Sequence, residues 1–300
     1  IVAGLLVNRP VDAFPIVRFV SNLSLSLKID GLSMVFAGLV AALWPLATLY
    51  SFEYMKHEGH LRMFYTFFLI SFGVTLGIAS SGNMLTMYFF YELLTLVTLP
   101  LVMHAMDGKA RYAGKVYLVY SMSGAALGFI AMVFLLQYGG EMFLFGGTVS
   151  AEGVDANILL TAYVLGFFGF GVKAAVFPGH KWLLRASVAP TPVTALLHAV
   201  AVVKAGVFAV IRLTWYGFGP DLIRDTWAQN LVMGAAVFTI VFGSSKALQT
   251  QHLKRRLAWS TISNLSYVLL GVTTLTTAGL VAGLTHMVFH AVLKITLFFG

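Results

Sequence analysis

Among the ionisable side chains inside long apolar runs, seven carry the functional argument: Glu92, Lys173, His198, Lys204, His286, His290 and Lys294. An ammonium at bilayer depth costs about 2.5 to 3.5 kcal/mol, so such groups mark ion pathways or proton relays more often than decoration. Lys173 lies in the run Asn157 to Phe177, which ends at a Pro178-Gly179 break. Glu92 is close to the middle of the run Met84 to Ala105, within Tyr88-Phe89-Phe90-Tyr91-Glu92-Leu93-Leu94. A carboxylate there becomes neutral or needs a cation, and Lys173 is the candidate partner. Lys204 stands near the centre of the run Val193 to Trp215, six residues after His198. His286, His290 and Lys294 follow i, i+4, i+8 spacing, which puts all three on one stripe of one helix. A series of this kind can take up and hand on protons. The plain alternatives are a static ion pair for Glu92 and Lys173, a polar packing residue for His198, and a wet cavity lining for the stripe. A relay needs such a lining in any case.

The elements that position these groups follow from composition. With 59% hydrophobic and 10% charged residues in 300 and a mean hydropathy of +0.88, the chain reads as an all-α polytopic membrane protein. Runs of about 20 apolar residues, enough to span the hydrocarbon, recur throughout. They are Gly31 to Tyr54, Met63 to Ser80, Met84 to Ala105, Ala113 to Leu136, Asn157 to Phe177, Val193 to Trp215, Ala228 to Leu248, Leu257 to Leu275 and Gly279 to Phe299, giving about nine to ten spans in all. In Phe19 to Ile29, Leu23, Leu25, Leu27 and Ile29 alternate with Ser24, Ser26 and Lys28, so a short extracytoplasmic β-strand or hairpin is expected near residues 19–29. The chain starts at Ile1 in the tail of an apolar run and stops within its last helix at Gly300, so it is expected to be an internal piece of a longer one, truncated at both ends.

Charge sets the orientation. If the spans alternate, one side receives Lys56, Arg62, Lys109, Arg111, Lys181, Arg185, Lys254, Arg255 and Arg256, while the interhelical loops of the other hold Arg224, Glu141, Glu152 and Asp155. The positive-inside rule makes the first side cytoplasmic. The net charge of +8 is therefore read as topology, and nucleic acid is not an expected partner. With no cysteine the chain offers no thiolate to an iron–sulfur cluster, and no cofactor is expected in it.

Weaker signals fall away on inspection. Gly124 and Gly128 read as close helix packing. The run Gly166 to Lys173 lacks the Gly-Lys-Ser/Thr ending of a phosphate loop. Lys246 snorkels to the interface, and Lys254-Arg255-Arg256 anchors topology. Pro178 removes a backbone donor and Gly179 loosens the chain, so the helix carrying Lys173 is expected to be discontinuous, with Lys181 to Ala186 as its short second half. Ala189-Pro190-Thr191-Pro192 then opens the next span. Broken helices beside buried charge are a transporter signature.

Several stretches carry a resemblance: Gly171-Val172-Lys173 through Pro178-Gly179-His180-Lys181-Trp182-Leu183, Ala189-Pro190-Thr191-Pro192-Val193, and His198 to Lys204-Ala205-Gly206. Asp30-Gly31-Leu32-Ser33, Tyr91-Glu92-Leu93, Leu253 to Ser263 and His286 to Lys294 support it. In order along nearly the whole chain they resemble the antiporter-like proton-channel family: large membrane-arm subunits of respiratory complex I, large subunits of Mrp-type sodium/proton antiporters, and membrane-bound hydrogenase relatives. The resemblance implies inverted five-helix repeats with a broken helix near Pro178. Residues 62–215 would be the first repeat and 227–300 the start of the second, within one transmembrane domain over 1–300 that carries an extracytoplasmic β segment at 19–30. It implies that Glu92 pairs with Lys173, that Lys204 passes protons onward, and that His286, His290 and Lys294 form the connecting stripe. His198 with Pro192 resembles the largest Mrp subunit and the distal subunit of complex I. The expected function is proton translocation by a non-redox subunit of a hetero-oligomeric complex, either a NADH:quinone oxidoreductase or a Mrp-type antiporter. Protons and possible sodium are its cargo, other membrane subunits its partners, and a bacterial or archaeal inner membrane or an organellar energy-converting membrane its place. A membrane-bound hydrogenase transport subunit is an alternative of the same kind, and two rivals of other classes remain, a haem-carrying subunit with His198 and His286 or His290 as axial ligands, and a purely structural subunit whose buried charges only lock helices.

Overall fold

A computed structural model describes residues 12–20, 23–151 and 153–300. The apolar start at Ile1 and the acidic Glu152 lie outside the described residues. The first element among the described residues is a hairpin of β1 (Phe14–Val20) and β2 (Leu23–Leu27), paired antiparallel. The hairpin reaches further back than the expected 19–29. In β2 the serines face inward, with Ser24 and Ser26 buried and the leucines between them only half-buried. The two hydroxyls bond each other at 2.7 Å, Ser24 also bonds the Glu141 carboxylate at 3.0 Å, and the Ser26 N–H donates to Thr86 Oγ1 at 2.8 Å.

Eleven helical elements follow among the described residues: α1 (Gly31–Tyr54), α2 (Leu61–Ala79), α3 (Met84–Val102), α4 (Gly108–Tyr138), α5 (Ala156–Gly171), α6 (Lys181–Ala186), α7 (Thr191–Phe218), α8 (Pro220–Ile223), α9 (Trp227–Gln249), α10 (Leu253–Thr273) and α11 (Thr277–Phe299). Side-chain caps start many of them, as where Asp30, Asn83 and Asp107 accept N–H groups of the first turns of α1, α3 and α4. Seven are long and apolar enough to cross a membrane: α1, α2, α3, α4, α7, α9 and α11. The two other expected spans are helical but fall short, α5 because it is 16 residues long and α10 because Lys254, Arg255 and Arg256 at its start, with Asn264 and its serines and threonines, lower its apolarity.

The first of these shortfalls corrects the sequence reading. The run Asn157 to Phe177 is not one helix with a break at its end, because α5 stops at Gly171 and residues 172–180 form turns before α6. Lys173 therefore sits in the break itself. Glycine at 166, 169 and 171 weakens the helix there; the Val172 N–H makes its last bonds, to Phe168 and Gly169, and the Ala175 and Val176 N–H groups then close turns onto Val172 and Gly171. A second finding concerns α7, which carries two π-helical segments, Leu196–Val200 and Arg212–Phe218, on either side of the α-helical stretch Val202–Ile211. Every residue of its most apolar window is buried, so α7 is the axis around which the other helices pack. α4 and α5 meet through glycine, where a Cβ on Gly124 would fall 2.6 Å from the Gly169 carbonyl.

Candidate functional site

The fold brings Glu92 and Lys173 together. Oε1 of Glu92, from mid-α3, lies 3.9 Å from the Lys173 ammonium, with the lysine fully buried and the glutamate side chain 21% exposed. The ammonium donates to the backbone carbonyl of Tyr91 and sits 3.3 Å from the centre of the Tyr91 ring, so its charge meets a dipole and a π face as well as a carboxylate. Tyr91 is fixed in turn, its hydroxyl donating to the Phe170 carbonyl at 3.1 Å just before the break. Oε1 of Glu92 has no hydrogen-bond partner among the described residues, so the pair is loose on the carboxylate side.

A second cluster gathers on α7 and α11. The Lys204 ammonium lies 2.5 Å from Nδ1 of His290, both buried. One turn further along α11, the Lys294 ammonium donates to the Leu257 carbonyl at 3.0 Å. One turn earlier, Nε2 of His286 meets the side-chain oxygen of Asn264 at 3.0 Å, and the rings of His286 and His290 are 6.4 Å apart. The spacing on α11 therefore does place the three residues on one stripe, facing Lys204 and α10. His198 is fully buried beside Phe298, ring centres 5.3 Å apart, with neither ring nitrogen hydrogen-bonded among the described residues.

Lys173 and Lys204 have separate polar partners, the first Glu92 and the Tyr91 carbonyl, the second His290. Their backbones nevertheless touch, since a Cβ on Gly206 would lie 2.7 Å from the Lys173 carbonyl carbon and 2.9 Å from its Cβ. Glycine at 206 is what lets α7 press against the break, so the two charged clusters share a wall. Pro178 and Gly179 lie on the far side of that break, where Trp182 Nε1 donates at 2.7 Å to the Val172 carbonyl, which also accepts the Ala175 N–H of the turn at 3.0 Å.

One ion pair escaped the sequence reading. Arg212, from the second π segment of α7, holds Asp30 with two bonds of 2.5 and 2.9 Å and donates to Ser33 at 2.9 Å. The guanidinium is 1% exposed and lies 4.4 Å from the ring of Tyr216. Burial disfavours the ionised Asp30 carboxyl, but the charge of Arg212 and hydrogen bonds from Arg212 and Ser33 outweigh it and hold the carboxyl below its ordinary value of 3.8. An arginine inside the run Val193 to Trp215 is as costly as Lys204 and was the available signal. Among the described residues no group of three or more His, Cys, Asp or Glu could hold a metal ion.

Residues 81–300 match the family model for NADH:quinone oxidoreductase/Mrp antiporter transmembrane segments, and residues 19–65 match that for the N-terminus of complex I chain 5. The chain is 34% identical over 92% of its length to a probable K(+)/H(+) antiporter subunit of Rhizobium meliloti (strain 1021), covering 27% of that protein. It is 31% identical over 93% of its length to the chloroplastic NAD(P)H-quinone oxidoreductase subunit 5 of Ceratophyllum demersum, covering 38% of it. A chain in the structure of the Mrp complex from Dietzia sp. DQ12-45-1b superposes on 96% of this chain with a TM-score of 0.84 and 26% identity, and 31% of that chain is covered. The chain thus spans well under half the length of these relatives. The longer family match takes in both charged clusters and the break between them, and the chain belongs to the transmembrane family shared by NADH:quinone oxidoreductases and Mrp antiporters.

Proposed function

We propose that the chain is a proton-translocating membrane subunit of a multi-subunit complex, with Lys173 as its switching site. The observation that carries this reading is a fully buried ammonium placed in a helix break, 3.9 Å from a partly exposed carboxylate on another helix. A purely structural pair would gain from tight, saturated geometry, because burying two charges costs several kcal/mol that only good hydrogen bonding offsets. Here the contact is long and one carboxylate oxygen is unbonded. At an effective dielectric of about 20, two unit charges about 4 Å apart attract by roughly 4 kcal/mol. Moving one charge through 100 mV costs about 2.3 kcal/mol. A modest change in the Glu92 to Lys173 separation therefore alters the lysine's hold on its proton by an amount comparable with a membrane potential. Lys204, with His290, His286 and Lys294, and with His198 on the same helix, is the onward path. Gly206 couples it to the break mechanically. Residues 62–215 then make up one repeat and 227–300 the beginning of its inverted counterpart.

The similarity to antiporter subunits and to a quinone oxidoreductase subunit supports transport of protons against either a monovalent cation or a redox reaction in partner chains. The test is proton flux into vesicles reconstituted with the intact complex. Glu92→Gln and Lys173→Ala are each expected to lower it by at least about tenfold, since each removes at least about 1.4 kcal/mol of the electrostatic coupling. Unchanged flux in both variants, with the complex assembled, would leave the pair a structural one and end this reading.

A further inference from the structure

Two cavities adjoin at the end of the molecule that carries the positive charge. One, of about 890 Å³, lies between the start of α4, α6 and the start of α10, and the other, of about 550 Å³, lies between α6, α9 and α10. They share Leu184, Arg185 and Arg255, so they are two halves of one recess with a basic partition. Lys109, Lys181, Arg185, Lys246, Lys254 and Arg255 line it, and among the described residues no carboxylate does. None of these six cations has a carboxylate partner among the described residues, whereas Lys56 at the same end is paired with Glu53 at 2.6 Å. Six like charges around a recess repel one another unless an anion fills it.

Apart from His180, Ser187 and His252, the rest of the lining is apolar or aromatic. Phe177, Phe242 and Trp259 form the floor of the smaller cavity, with ring centres of Phe177 and Phe242 5.5 Å apart and those of Phe242 and Trp259 5.6 Å apart. Val188, at the larger cavity, is 49% exposed. A soluble anion would gain nothing from such a floor. A molecule with phosphate at one end and hydrocarbon at the other satisfies both parts, and the cytoplasmic leaflet supplies anionic lipid at this depth.

We propose that the recess binds an anionic phospholipid of the two-phosphate cardiolipin class, one phosphate on each side of the Arg185–Arg255 partition and its acyl chains over Phe177, Phe242 and Trp259. The site has a direct bearing on the break. The Phe177 N–H donates to Thr239 Oγ1 at 3.1 Å, and its ring stacks on His180 at 5.6 Å, so the recess wall is the segment between Lys173 and α6. A bound lipid braces that segment from outside. The inference rests on the recess and its charges and not on the proton path.

The test uses the intact complex in phosphatidylcholine nanodiscs containing tetraoleoyl cardiolipin, with bound lipid read by native mass spectrometry. The double variant Arg185→Gln with Arg255→Gln is expected to bind cardiolipin about thirtyfold more weakly, at about 1 kcal/mol per removed cation. Lys56→Gln with Arg62→Gln removes the same charge elsewhere at the cytoplasmic end and is expected to leave binding unchanged. In the unmodified complex a photoreactive cardiolipin is expected to label residues 177–188 and 252–259, which keeps the test independent of how the variants fold. Equal weakening in both double variants, labelling only outside those residues, or displacement of the lipid by millimolar inorganic phosphate would overturn the proposal. So would a cross-link from Arg185 to a neighbouring protein in a complex that retains no cardiolipin.

Discussion

Two buried ion pairs occupy opposite ends of one packing problem. Asp30 and Arg212 meet through two short bonds, with Ser33 and the Tyr216 ring completing the guanidinium's surroundings. Glu92 and Lys173 meet once, at 3.9 Å, with the carboxylate partly open to its surroundings. Both pairs bear the same nominal charges, and their geometry separates them. The first ties the start of α1 to the C-terminal part of α7 through saturated contacts, whereas the second joins α3 to a helix break through one long contact, which under the proposed function is the one that changes length. Buried charge is therefore evidence for a lock or for a switch depending on how completely each partner is saturated.

The largest effect that tests this contrast is Arg212→Ala. Removing one partner of a saturated buried pair leaves the other uncompensated, a loss of about 3 to 5 kcal/mol, and the thermal midpoint in detergent is expected to fall accordingly. A fall no larger than that for Lys173→Ala would erase the distinction. Next is Gly206→Ala, whose new methyl meets the backbone of Lys173. A cost of about 1 to 3 kcal/mol is expected from overpacking, together with slower proton flux because the break must shift. Normal flux in that variant would show that the contact between α7 and the break is passive.

A smaller effect is expected from acid. Because the folded Asp30 carboxyl sits below 3.8, its contribution to stability is complete above that value and is lost as pH falls through the lower folded value. The stability difference between the unmodified protein and Asp30→Asn should thus be constant from neutral pH down to about 4 and shrink only below it. A difference already shrinking near pH 6 would assign the lock to another group. The smallest change in stability is expected for Glu92→Gln, whose partly exposed carboxylate has an Oε1 with no hydrogen bond among the described residues, while its flux falls at least about tenfold.

Much of the proposed switch was legible in the sequence because membrane depth makes charge conspicuous. Glu92, Lys173, Lys204 and the stripe on α11 each interrupt an apolar run, and the i, i+4, i+8 spacing survives into the structure unchanged. The Pro178-Gly179 pair announced a break, but its start at Val172 depends on the glycines before it and on Trp182 reaching back to the Val172 carbonyl. The lock was harder to see. Arg212 is visible as a charge in the run, yet its partner lies at Asp30 across the fold, and no spacing rule connects residues so far apart. The π segments of α7 are written in the same apolar residues as ordinary helix, so composition cannot distinguish them. The period-two pattern of β2 implied two faces without saying that the serines, bonded to Thr86 and Glu141, take the inner one.

The burial of α7 has a consequence for how the chain is made. Its most apolar 18-residue window has the hydropathy of a lipid-facing span, a mean of 2.0, yet in the finished molecule every residue of that window is buried. That apolarity serves the journey and not the destination. During synthesis the segment must leave the insertion machinery for the bilayer while carrying Lys204 and Arg212, each a penalty of about 2.5 to 3.5 kcal/mol that its valines, leucines and isoleucine offset in increments of about 0.3 to 0.6. Only later can it exchange lipid neighbours for α1, α5 and α11, and until that exchange its two cations have neither Asp30 nor His290 beside them.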